Sequence, residues 1–316
     1  MVCSSAIEST LNQRYQVVHG WPRLPEGEIL GAVTGVALDS SENVWVFHRA
    51  GRTWPVSGVL DLSPIELPCI TLLSSQTGEL IRCWGEKLFA MPHGLTVDKD
   101  GNLWLTDVAY HQVYKYSPQG ELLLTLGERG IAGDDTGYFN YPTEVAVAAD
   151  GGFYVTDGYG NARVIKFSAR GEFQYQWGTK GSAPGEFDLP HGIALDAWGN
   201  VYVADRTNAR VQIFDAQGAY LNEWKSAELG RPYTLSVCAD GSAFVVDGGD
   251  QPQAPPDRSA VVWVNARGDV LQRIGRYGNY DGQFRMAHDV ACAADGALYI
   301  GDVNGARVQK FVLSPC

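Results

Sequence analysis

The chain has 316 residues, 45% of them apolar and 19% charged, and a formal net charge of −12. That balance excludes a disordered chain, and with no basic stripe to offset the acidity it argues against a nucleic-acid partner. No apolar run approaches the ~20 residues of a membrane-spanning helix, so no membrane span is expected.

Residues 1–13 are expected to form an N-terminal tail lacking the basic start and apolar stretch of a signal peptide. As given, the chain reads as cytoplasmic, or as secreted if a leader has been removed. Residues 14–316 are expected to form a single domain. Residues 15–21 read as a strand with no hairpin partner nearby.

A unit then recurs six times, at residues 36–49, 95–108, 145–158, 193–206, 236–248 and 290–303. Each has an apolar strand, a turn that contains Gly in five of the six, and a second, often aromatic strand, which is the pattern of a hairpin. Third strands follow from Val113, Val164, Val211, Val262 and Val308. Fourth strands follow a Gly turn from Glu121, Glu172, Tyr220 and Asp269. Repeats spaced roughly 40–60 residues apart with four strands each imply an all-β, six-bladed β-propeller. The last unit stops without a fourth strand, so residues 15–21 are predicted to complete it and close the ring, removing two exposed sheet edges. Residues 50–67 and the Pro-rich 251–258 are excursions over a face, not linkers.

Repetition separates scaffold from site. Asp107, Asp157, Asp205, Asp247 and Asp302 each end a second strand, and Arg163, Arg210 and Arg307 recur a few residues later. Turn-fixing contacts explain these without chemistry. Of six cysteines (Cys3, Cys69, Cys83, Cys238, Cys292, Cys316) none forms a CxxC pair. Cys238 and Cys292 sit in apolar strands as small hydrophobes, and Cys69 and Cys83 fall where neighbouring strands of one hairpin would allow a bridge.

Three histidines break the repeat. His93, His191 and His288 enter the innermost strand of units 2, 4 and 6, where units 1 and 3 have Thr34 and Thr143, and unit 5 has Tyr233-Thr234 shifted by one. Alternate blades of a sixfold ring lie 120° apart, so the three imidazoles are expected to converge on the central channel. Three neutral histidines with an open fourth position are the ligand set of catalytic zinc. His19, His48 and His111 lack that register and are expected to be solvated or turn residues. Strand 1 starts on the face where strand 2 ends, so the residues just past strand 2 surround the proposed metal. They are Arg49 in unit 1, Arg206 in unit 4, and Tyr159 just beyond Asp157-Gly158 in unit 3. Arginines and a tyrosine beside zinc suit a carboxylate substrate and a proton transfer.

The segments VTGVALD…VFHR (33–49), PHGLTVDKDGNLWLTDVAYHQVYK (92–115), PTEVAV…VTDGYGNARV (142–164), LPHGIAL…VADRTNARVQIF (189–214) and MAHDV…YIGDVNGARVQKF (286–311) carry a family resemblance. The chain resembles the peptidyl-α-hydroxyglycine α-amidating lyases, six-bladed propellers related to NHL-repeat proteins. The DxxNxRV portion marks only a blade, whereas the three His sites together with Arg49, Tyr159 and Arg206 are specific. The resemblance implies Zn2+ on His93, His191 and His288, substrate contacts from Arg49 and Arg206, and Tyr159 as the catalytic base. It also implies a structural Ca2+ on the backbone carbonyls of Val36 and Leu95 and the side chain of Asp289, and it places Met286 near the metal and substrate. The implied reaction splits an N-acyl-α-hydroxyglycine, small or peptidyl, into an amide and glyoxylate.

A tyrosine with a reference pKa of about 10 is a poor base near neutrality unless neighbouring cations favour its phenolate. The family's cysteine after that tyrosine is Gly160 here, so that disulfide is absent, which fits a reducing compartment. Residues 1–316 carry no copper monooxygenase pattern, so a peptide-hormone substrate is not expected from the resemblance alone. The expected state is a monomer. Two other classes stay open at this point. A non-catalytic NHL-repeat binding propeller predicts no metal and a basic or apolar recognition face. A lactonase-like, metal-dependent propeller hydrolase predicts calcium on carboxylates and amides, which the His ring disfavours.

Overall fold

Each repeat builds an antiparallel sheet of four strands, which run from the channel outwards in sequence order in blades 1 to 5, while in blade 6 the outermost strand comes from the N-terminal segment. The computed structural model describes residues 13–56, 58–249 and 258–315, and among them it holds strands and turns but no helix. Blade 2 shows the plan with strands Pro92–Val97, Leu103–Asp107, Gln112–Tyr116 and Leu122–Leu126. Its second strand is buried at every position, because both faces of a middle strand meet neighbouring blades. That is why these runs read as continuously apolar rather than alternating. The fourth strand, at the rim, is partly exposed.

The turns repeat one device. In blade 2, Asp98 Oδ1 accepts from the backbone N–H of Asp100 (3.0 Å) and Asn102 (2.9 Å), and Gly101 supplies the φ of +82°. Apolar side chains form layers between blades rather than one central core. Blades 1 and 2 share Trp45, Phe47, Leu103 and Leu105, while blades 2 and 3 share Trp104, Phe153 and Phe167. A fully buried ring such as Phe153 is worth about 3–5 kcal/mol relative to Ala. Near the axis the inner strands approach so closely that Gly192 has no room for a side chain. A Cβ there would lie 2.5 Å from Thr234 Cα.

The ring closes as the sequence predicts. Gln13–Val17 pairs antiparallel with Arg307–Pro315 as the outer strand of blade 6, with Tyr15 opposite Leu313 and Val17 opposite Phe311. Tyr15 Oη donates to the Gly296 carbonyl at 3.1 Å, and its ring meets Phe244 and Trp263 edge-on. This strand starts at Gln13 and stops at Val17, so it is shifted and shorter than the run expected over 15–21. Gly20, with φ of +72°, turns the chain shortly beyond it. Apart from Gln13, the expected tail of residues 1–13 lies outside the described residues, as does most of the Pro-rich excursion of blade 5. The blade 1 excursion lies between Val44–His48 and Ile70–Leu73. Cys69 and Cys83 are free thiols.

Candidate active site

Six inner strands line the channel, and each carries a β-bulge at its entry. The pairing skips from Pro190 to Gly192 in blade 4 and from Ala287 to Asp289 in blade 6, leaving His191 and His288 unpaired. Blades 1 and 3 skip at Thr34 and Thr143 in the same way, and blades 2 and 5 skip two residues, His93-Gly94 and Tyr233-Thr234. A bulge re-aims the side chain it releases. Here it turns three imidazoles into the channel.

The histidines converge as expected. Their rings lie 4.7, 4.8 and 5.0 Å apart, all three are buried, and one nitrogen from each falls within 4.8 Å of the others. Each Nδ1 faces a backbone carbonyl of the next blade: His93 that of Thr143 (2.8 Å), His191 that of Tyr233 (2.7 Å) and His288 that of Thr34 (2.7 Å). A carbonyl only accepts, so Nδ1 carries the hydrogen and each neutral ring presents Nε2 as a lone pair. Protonation is opposed. Burial first, then the neighbouring histidines and arginines, hold His93 and His191 well below the usual imidazole range.

Tyr159 Oη lies 3.1 Å from His93 Nε2 and 3.0 Å from His191 Nε2. A phenol has one proton and both nitrogens are acceptors, so one proton cannot satisfy both contacts. This donor set could hold a metal ion. Three neutral imidazoles with carbonyl-anchored Nδ1 groups fit zinc.

Arg49 is 2% exposed, and its Nε donates to the Pro92 carbonyl at 2.9 Å. Its terminal nitrogens have no acceptor among the described residues. Burial pulls its pKa down to about 10, opposed by Tyr159 and Asp107, so it stays charged near neutrality. Arg206 stacks on Tyr233 with Cζ 4.1 Å from the ring centroid. The backbone that carries Arg206 is held by Arg231, whose Nε donates to the Arg206 carbonyl at 3.3 Å. Met286 lies beside the same tyrosine, with Sδ 3.9 Å from Tyr233 Oη.

A cavity of about 310 Å³ opens in the channel, lined by Val36, Leu95, Glu144, Ile193 and Asp289 among others. Asp289 Oδ2 accepts from Val36 N–H at 2.7 Å. In a strand a residue's N–H and C=O point the same way, so the Val36 carbonyl also faces the channel. Glu144 Oε2 accepts from Thr234 Oγ1 (2.8 Å) and Ile193 N–H (3.2 Å). Both carboxylates are buried, and burial followed by mutual repulsion raises the Glu144 pKa. Carbonyl and carboxylate oxygens suit a hard cation such as calcium.

Sequence reasoning missed four residues here: Glu144, Tyr233, Arg231 and Trp54, whose ring lies 5.2 Å from that of Tyr159. His48 corrects an expectation. It is not solvated but 2% exposed, with Nε2 3.0 Å from Thr71 Oγ1 and Nδ1 accepting from Ala50 N–H. It ends a second strand, where both faces are covered. His19 is exposed beside Asp281, and His111 occupies a turn at φ of +55°. The strand-ending aspartates are structural as expected. Asp107 accepts from four backbone N–H groups, and Asp157 and Asp205 bind Arg163 and Arg210.

Residues 89–116, 139–167 and 187–214 match the NHL repeat, covering most of blades 2 to 4. The chain is 33% identical over 301 residues to the probable peptidyl-alpha-hydroxyglycine alpha-amidating lyase pgal-1 of Caenorhabditis elegans, spanning 92% of this chain and 84% of that protein. It is 36% identical over 300 residues to peptidyl-glycine alpha-amidating monooxygenase B of Xenopus laevis, spanning 89% of this chain but 34% of that protein. The chain thus spans about a third of that longer relative. In fold it resembles a gluconolactonase from Xanthomonas campestris with a TM-score of 0.66, at 14% identity over 98% of this chain and 93% of that one.

Proposed function

The chain belongs to the peptidyl-alpha-hydroxyglycine alpha-amidating lyase family, and from that premise we propose a zinc-dependent lyase that splits N-acyl-α-hydroxyglycines into an amide and glyoxylate. The observation that carries the zinc is the triad of Nδ1–H···O=C bonds, which aims three lone pairs at one point. Bound there by His93, His191 and His288, zinc would supply Lewis acidity toward a substrate oxygen.

The chain's own groups account for the rest. Arg49, whose terminal nitrogens make no hydrogen bond among the described residues, offers a fork to the substrate carboxylate, and Arg206 supplies a second positive charge. Tyr159 Oη, as phenolate, takes the proton from the substrate hydroxyl. The resulting oxyanion collapses to an aldehyde as the C–N bond breaks. Tyr159 then returns its proton to the departing amide nitrogen, so HO–CH(COO⁻)–NH–CO–R becomes OHC–COO⁻ and H₂N–CO–R with no net proton change. Met286, packed beside Tyr233, adds a soft apolar flank. Calcium on Val36, Leu95 and Asp289 would tie blades 1, 2 and 6 together inside the channel, and Glu144 adds a second carboxylate to that cavity.

The test is glyoxylate release from N-benzoyl-α-hydroxyglycine by metal-stripped and zinc-reloaded protein, with His191→Ala as control. Zinc-dependent release that disappears in the variant supports the reading. Stoichiometric zinc without release overturns the lyase assignment while keeping the metal site.

A further inference from the structure

None of the roles above uses Trp54. Its indole lies 5.2 Å from the Tyr159 ring at a tilt of 36°, and Arg49 Cζ lies 5.3 Å from the indole centroid. Tyr159 therefore points its hydroxyl at two histidines and turns its ring toward Trp54. Trp54 as a residue is still 39% exposed, so its ring meets the tyrosine–arginine pair while part of the side chain stays open to solvent.

The loop that carries Trp54 is anchored at its base. Arg52 donates to the carbonyls of Asp61 (3.1 Å), Ser63 (2.6 Å) and Ala90 (3.1 Å), and Tyr110 Oη donates to that of Leu62 (3.3 Å). The same loop also leaves Val56 and Val59 exposed.

We infer that Trp54 is the wall that receives the acyl side of the substrate, and that the chain selects α-hydroxyglycines whose acyl group is aromatic or apolar. This rests on the lyase reading. With the carboxylate at the arginines and the hydroxyl at Tyr159, the third substituent of the reacting carbon must leave away from the histidines. The indole, set against both the Tyr159 ring and the Arg49 guanidinium, is the apolar surface next to those two groups. A flat aromatic or branched apolar group there stacks or packs, whereas a small acetyl group falls short.

The test compares zinc-loaded wild type, Trp54→Ala and Trp54→Phe on N-benzoyl- and N-acetyl-α-hydroxyglycine. Wild type should favour the benzoyl substrate by about tenfold or more in kcat/KM, mainly through KM. Trp54→Ala should bring the ratio to within about twofold, and Trp54→Phe should restore most of it. A wild-type ratio near one overturns the inference. So does an equal fall in kcat for both substrates in Trp54→Ala, because Trp54 would then only prop Tyr159. Calorimetric binding of N-benzoylglycine and N-acetylglycine separates the two readings. If wild type cleaves neither substrate, the lyase reading fails, yet a Trp54-dependent preference for N-benzoylglycine would still uphold the wall. Equal binding would overturn both.

Discussion

His288 Nδ1 lies 2.7 Å from the carbonyl oxygen of Thr34, so the bond that orients one imidazole also joins the last blade to the first. Replacing His288 by Ala removes a zinc ligand and a ring tie together. Zinc content measured by plasma mass spectrometry should fall below one per chain, and Tm should drop even in metal-free protein. Thr34→Ala keeps the backbone carbonyl, so its zinc affinity should stay within about threefold of wild type.

Tyr159→Phe removes the proton carrier and leaves the three Nδ1 anchors untouched. Turnover of N-benzoyl-α-hydroxyglycine should fall by about 10²–10⁴-fold with zinc still stoichiometric. Normal turnover in this variant would remove Tyr159 from the mechanism.

Arg49 already commits its Nε to Pro92, so only its terminal nitrogens can take a carboxylate. Arg49→Lys keeps the charge but loses both the anchor and the fork. Steady-state kinetics should show kcat/KM lower by roughly 10- to 100-fold, and lysine should rescue little over Arg49→Ala.

Removing calcium should lower Tm, and adding calcium but not magnesium should restore it. At a hundredfold excess over its dissociation constant, a ligand that binds only the folded state adds about 3 kcal/mol. Asp289→Asn should abolish that shift and Glu144→Gln should weaken it. Differential scanning calorimetry reads both.

His48, at the end of the second strand of blade 1, gives a further pH dependence. Burial lowers its folded pKa from 6.5 to about 4, so below 6.5 the unfolded chain binds the proton that the fold refuses. Its contribution is whole above pH 6.5 and is lost as pH falls towards 4, by about 3 kcal/mol in all. Denaturant titrations should therefore show the stability gap between wild type and His48→Gln changing over that window and staying flat above it.

Much of this was legible in the sequence because the repeats supply their own control. Asp107 and its counterparts recur, and proved to hold turns. His93, His191 and His288 do not recur in every blade, and they converge. Glu144 stayed hidden because it follows the bulged residue, where blades 1, 2 and 4 have Gly35, Gly94 and Gly192 and no side chain invites comparison. The carbonyls that fix the imidazoles belong to Thr34, Thr143 and Tyr233, and a backbone acceptor leaves no trace in residue type. Trp54 lies in an excursion with no counterpart in other blades, so repetition could not flag it. His48 was misjudged because burial at a strand end depends on the neighbouring blade, not on the local pattern.

The bulges that alternate histidine with carbonyl acceptor make the site a property of blade pairs: His93 with Thr143, His191 with Tyr233, and His288 with Thr34. Such pairing demands an even count around the ring. A five- or seven-bladed propeller could not hold three such pairs at 120° spacing, so its imidazoles would lose their symmetric convergence. Six blades are what three such pairs fill, so the natural unit of this channel is the pair and its natural count is three.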